Sequence, residues 1–108
     1  MSQPDWNDLV KKAQEMQTRM AQVQQDLARR SVEGSSGGGM VTAVATGELR
    51  IREIRIEPTL FDDGDRAMIQ DLVAAAVNAA LAAAQKMVQE ELQRAAGAGG
   101  FPLPIQPG

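Results

Sequence analysis

The sequence predicts an α+β domain: a long N-terminal helix, a small three-stranded antiparallel sheet and a long C-terminal helix. Three observations carry this. Apolar residues step by three and four from Trp6 to Leu27, short β-branched runs bounded by glycine and proline fill the stretch from Val32 to Pro58, and an almost continuous apolar run extends from Leu72 to Ala84. The first and third follow the helical period, and the second has the punctuation of hairpin strands.

The central stretch, VEGSSGGGMVTAVATGELRIREIRIEP, organises the rest. Val32-Glu33-Gly34 predicts a short first strand, and Gly34 to Gly39 a hairpin connection. Met40 to Thr46 forms the second strand, Gly47-Glu48 the next turn, and Leu49 to Ile56 the third strand, which Pro58 ends. Leu49 and Ile51 share one parity while Ile54 and Ile56 share the other. A single β-bulge near Arg52-Glu53 resets the alternation and places all four on one buried face, with Arg50, Arg52 and Arg55 opposite. The glycine run lacks the Gly-Lys-Ser/Thr and following helix of a nucleotide P-loop, so it reads as a turn.

The first helix is expected to start between Ser2 and Asp5: Ser2 suits a cap, Pro4 a first turn, and Asp5 and Asp8 the positive end of the helix dipole. Its apolar positions, Trp6, Leu9, Ala13, Met16, Met20, Val23 and Leu27, form a heptad-like seam for packing along its length against another helix. Lys11, Lys12, Arg19, Arg29 and Arg30 outnumber Asp5, Asp8, Glu15 and Asp26 on the same segment, giving either a solvated or a binding face.

After Pro58, Thr59-Leu60-Phe61 is expected to tuck against the sheet. Asp62, Asp63 and Asp65 then start a second helix from about Asp65 to about Ala95. Its stripe runs through Ile69, Leu72, Val73, Ala76, Val77, Ala80, Leu81, Ala84, Met87, Val88 and Leu92. A helix this apolar all round is buried on more than one side. The sheet and first helix cover one side, and a second subunit is expected on Leu72, Val73, Ala76, Val77, Ala80 and Leu81. Residues 1–96 thus form a single domain, and the Gly/Pro-rich residues 97–108 read as a flexible tail.

Composition narrows function. The chain has 108 residues, 44% of them hydrophobic but only 3% aromatic, and neither cysteine nor histidine. A core this rich in alanine leaves a lone subunit marginal, which favours a homo-oligomer. Without His or Cys the commonest nucleophile–base pairs and metal ligands are missing, and the Asp62/Asp63/Asp65 cluster lacks the EF-hand spacing. No enzymatic activity, cofactor, metal or small-molecule substrate is expected. The net charge of −3 excludes a strongly basic nucleic-acid binder and leaves room for local basic patches. No secretory signal pattern is seen, and the Leu72–Ala84 run is too short to span a membrane, so a cytoplasmic location is expected.

The order KKAQEMQTRM, VEGSSGGGMVTAVATGE, IREIRIEPTLFDD, MIQDLVAAAVNAA resembles the YbaB/EbfC family of bacterial nucleoid-associated DNA-binding proteins over nearly the whole chain. The Ile56-Glu57-Pro58-Thr59-Leu60 segment followed by Asp71 to Ala76 is its most specific part. The resemblance implies a tweezer-like homodimer with joined sheets as base and helices as arms, binding DNA with little or modest sequence preference in the nucleoid. With that reading the candidate DNA contacts are Lys11, Lys12, Arg19, Arg50, Arg52, Arg55, Lys86 and Arg94. If the helices pair antiparallel, Lys11 and Lys12 share a distal tip with Lys86 and Arg94. No aromatic residue interleaves with these charges, so duplex phosphates are favoured over single-strand stacking. The alternative is a dimeric protein-interaction scaffold that does not bind DNA directly.

Overall fold

The structure, a computed structural model, describes residues 5–62 and 64–98. Its elements in order are helix α1 (Trp6–Arg29), strand β1 (Ser31–Ser36), a 3-10 turn at Gly37–Gly39, strands β2 (Val41–Thr46) and β3 (Ile51–Ile56), a 3-10 turn at Pro58–Phe61, and helix α2 (Arg66–Ala98). The expectations for Ser2, Pro4, Asp63 and the segment after Ala98 lie outside the described residues.

The helix starts follow local chemistry. The Asp5 carboxylate caps α1 by accepting from the Asn7 N–H at 3.1 Å. At α2 the Asp65 carboxylate accepts from the Met68 N–H at 3.0 Å. Both satisfy first-turn donors that would otherwise lack partners. α2 runs three residues beyond the expected end and takes in Gly97, which the sequence reading placed in the tail.

The sheet is antiparallel in the order β1-β2-β3. β1 is twice the expected length, pairing from Ser31↔Thr46 to Ser36↔Val41. The bulge is present: Ala43 pairs with Ile54 and Val44 with Glu53, but Ala45 pairs with Ile51, leaving Arg52 as the extra residue. The shift brings Ile51, Ile54 and Ile56 to the face of Val41, Ala43 and Ala45. Leu49 does not join them. It sits in the turn with a left-handed φ of 62° and is exposed, because the turn closes at Arg50, whose carbonyl accepts from the Thr46 N–H at 2.9 Å.

α2 lies across the shared face of β1 and β2. Ala76, Ala80 and Ala84 are fully buried there with Val41, Ala43, Ala45 and Leu60, and Ile69, Leu72, Val73, Val77 and Leu81 pack around them. The helix comes so close that a Cβ on Gly34 would overlap the Ala80 backbone nitrogen and lie 2.6 Å from the Ala79 carbonyl carbon. Glycine opposite alanine thus sets the helix–sheet distance. By length and composition α2 could cross a bilayer, with a mean hydropathy of 1.6 over its most apolar window. Here Ala76, Ala80 and Ala84 of its stripe are buried against the sheet, while Leu72, Val73, Val77 and Leu81 are half-buried.

Two expectations change. Ala76 and Ala80 belong to the subunit's own core, not to a surface between subunits, because the small residues are what let the helix backbone reach the sheet. α2 covers little of β3, so Ile54 is on the inner face yet 42% exposed, and Phe61 in the turn after the strand and Met68 in the first turn of α2 are exposed as well. Leu60 alone of its turn tucks in.

α1 packs only at its end. Leu27 is buried, Met20 and Val23 are half-buried, and Trp6, Leu9, Ala13 and Met16 are exposed. The seam is therefore uncovered over its N-terminal half, and the molecule is long and thin, 77 × 30 × 16 Å. α2 buries Ala76, Ala80 and Ala84 on the sheet, and further along its Val88 and Leu92 border one groove with Gln24, Leu27 and Ala28 of α1.

Candidate nucleic-acid interface

α1 is joined to the sheet by the β2–β3 turn. Gly47 N–H donates to the Leu27 carbonyl at 3.1 Å and the Arg30 carbonyl at 3.3 Å. A Cβ on Gly47 would overlap that Leu27 oxygen, so only glycine lets the turn seat on the helix end. This junction orients an exposed arm carrying Lys11, Lys12 and Arg19. Lys11 and Arg19 border one shallow groove of about 410 Å³ with Gln14, Glu15 and Thr18.

The remaining cations sort by their partners. Arg55 donates to Glu33 at 2.7 Å and Glu53 at 2.9 Å, two carboxylates on the outer sheet face. The hydrogen bond it donates to Glu33, then the Glu53 charge, hold its pKa above the ordinary arginine value. Arg94 and Arg30 both reach Glu91, at 2.6 and 3.2 Å. Arg29, Arg50, Arg52, Lys11, Lys12, Arg19 and Lys86 make no ion pair among the described residues.

The tip expected from antiparallel helices is not formed. Arg94 sits beside Arg30 at the root of α1, whereas Lys11 lies about 28 Å up that helix at 1.5 Å per residue. The sequence-predicted cations are instead divided between the arm (Lys11, Lys12, Arg19), the root (Arg50, Arg52), the outer sheet (Arg55) and α2 (Lys86, Arg94). The structure adds Arg29 to the root, where it lines an open groove of about 520 Å³ with Ala28, Thr46, Glu48, Arg50 and Arg52. Arg29 was visible in sequence only as part of a basic helix surplus, since nothing local shows that the β2–β3 turn returns beside it. Among the described residues no three His, Cys, Asp or Glu side chains gather closely enough to hold a metal ion.

Comparison with known proteins places this geometry in context. The model of the YbaB/EbfC DNA-binding family matches residues 2–100. A protein named nucleoid-associated protein from Acetivibrio thermocellus is 50% identical over 97 residues, covering 89% of this chain and 86% of the relative. A similarly named protein from Chlorobaculum parvum is 44% identical over 97 residues, covering 90% and 86%. Among solved structures, the uncharacterized protein HP0035 from Helicobacter pylori shares the fold with a TM-score of 0.60 at 21% identity, covering 76% of this chain and 94% of that one.

Proposed function

Since this chain belongs to the YbaB/EbfC DNA-binding family, we propose that it is a nucleoid-associated DNA-binding protein of the bacterial cytoplasm, acting as a homodimer on duplex phosphates with little or modest sequence preference. The observation that carries the phosphate reading is the separation of cations into carboxylate-bound and unpaired sets. Lys11, Lys12 and Arg19 on the projecting arm, and Arg50 and Arg52 at its root, keep their charge available to an outside anion. Arg55 and Arg94 are secondary, because a phosphate must compete there with Glu33, Glu53 or Glu91. Lys86 is exposed on α2 and adds to the field.

The dimer reading rests on uncovered apolar surface. Ile54 stands open on the part of β3 that α2 leaves uncovered, Phe61 and Met68 are exposed on the two elements that follow, and a second copy seated on these elements removes them from water. The half-buried Leu72, Val73, Val77 and Leu81 border the same core and extend that surface. A protein-interaction scaffold is the second reading, favoured by the uncovered seam of Trp6, Leu9 and Met16 on the arm.

A salt titration of binding to unrelated duplexes separates the two. Phosphate binding by lysine and arginine releases counterions, so log affinity is expected to fall with log salt by about 0.9 per phosphate neutralised. With an overall charge of −3, binding is expected in the micromolar range and equal across sequences. Absence of binding to any duplex at low salt overturns the DNA reading and leaves the scaffold.

A further inference from the structure

Three arginines from two distant parts of the chain converge at the arm's root. Arg29 comes from the last turn of α1, Arg50 from the turn just before β3, and Arg52 from the start of β3. The Gly47 seat on Leu27 and Arg30 holds the two parts together. The backbone on the β3 side is fixed as well: Leu49 N–H donates to the Thr46 carbonyl at 2.9 Å, and Thr46 N–H donates to the Arg50 carbonyl at 2.9 Å. Arg52 is the bulged residue, with no strand partner on β2.

The charge balance of the groove points to its ligand. None of the three guanidinium groups has a carboxylate within ion-pair distance among the described residues, whereas Arg30 and Arg94 each have one and Arg55 has two. Three like charges lining one groove with a single carboxylate, Glu48, leave a net positive charge that an anion would neutralise. Three planar forks suit the oxygens of a phosphate, which arginine binds in pairs of parallel hydrogen bonds. The α1 C-terminal carbonyls do not oppose this strongly, because Arg30 N–H occupies those of Asp26 and Leu27 and Gly47 N–H also takes Leu27. Among the described residues Glu48 is the one acid lining the groove, and no aromatic side chain lines it for base stacking. The groove is open and larger than one phosphate needs, as befits a backbone that passes through.

We propose that the Arg29–Arg50–Arg52 groove is a binding site for the phosphodiester backbone of duplex DNA, with Glu48 as a built-in negative element that limits its affinity. This rests on the DNA reading above and adds a location, a residue outside the sequence-derived set and a sign for Glu48.

The test measures salt-dependent binding of the full chain to two unrelated duplexes. The variants are Arg29→Gln, Arg52→Gln, the triple Arg29→Gln/Arg50→Gln/Arg52→Gln, and Glu48→Gln. Arg66→Gln, at the far end of α2, removes the same single charge elsewhere. Gel filtration and circular dichroism confirm that each remains folded. Each groove arginine that meets a phosphate is expected to lower the salt slope by about one on removal. Glu48→Gln is expected to tighten binding, and Arg66→Gln to leave the slope unchanged. If the unmodified protein binds and the triple variant matches it, the groove is overturned while the DNA reading stands. Equal losses in Arg52→Gln and Arg66→Gln reduce the effect to overall charge and also overturn the groove. No binding by the unmodified protein overturns both.

Discussion

Gly34 of β1 and Ala80 of α2 meet backbone against backbone, with no room for a Cβ on the strand side. Because the obstructing atoms are main chain, they cannot rotate away as a side chain would. Gly34→Ala is expected to destabilise the fold by about 3 kcal/mol, near the upper end for overpacking. Urea denaturation checks this, and a loss below about 1 kcal/mol would mean that the helix can lift from the sheet.

Ala80 and Ile54 distinguish the subunit core from the surface offered to a second copy. Ala80 is fully buried, so Ala80→Glu strands a charge in the core and is expected to unfold the chain at a cost of about 3–5 kcal/mol. Ile54→Glu with Phe61→Glu places charges at exposed positions and is expected to give a folded monomer. Light scattering with circular dichroism reads both outcomes. A folded monomer from the unmodified chain would refute the dimer.

The arm lysines are expected to act through charge alone. Lys11→Gln with Lys12→Gln should lower the salt slope by up to about two and weaken binding equally on unrelated duplexes, leaving assembly intact. Arg55→Gln is expected to change the slope less than either lysine, since its guanidinium already serves Glu33 and Glu53. An Arg55 effect larger than that of both lysines together would reverse this ranking.

Asp65→Ala removes the acceptor for the Met68 N–H at the start of α2. The expected cost is about 1 kcal/mol, and Asp65→Asn should recover most of it because the amide oxygen can still cap. Thermal denaturation of the two variants gives the comparison.

The sequence by itself determined the element order, the strand boundaries near Thr46 and Ile56, and the bulge, whereas the α1 seam it marked is packed only at its Leu27 end. Each follows from neighbours a few residues apart: the period of apolar side chains, a parity break between Ile51 and Ile54, a carboxylate before a helix. It also carried the family resemblance through motifs along the chain. What only the tertiary structure decided is how those elements share surface. Ile54 has the right parity for the core, but α2 lies over β1 and β2 and does not reach it. Ala76 and Ala80 fit an intersubunit helix face equally well by periodicity, and the missing Cβ of Gly34 is what leaves room for the helix backbone at Ala80 to close onto the sheet. Arg55 and Arg52 look alike in the string IREIRI, yet Glu33, across the sheet on β1, holds one while the bulge leaves the other free. Arg29 joins the groove because Gly47 seats on the end of α1. These outcomes depend on residues brought together from distant parts of the chain, and periodicity along a single segment carries no information about which segments will meet.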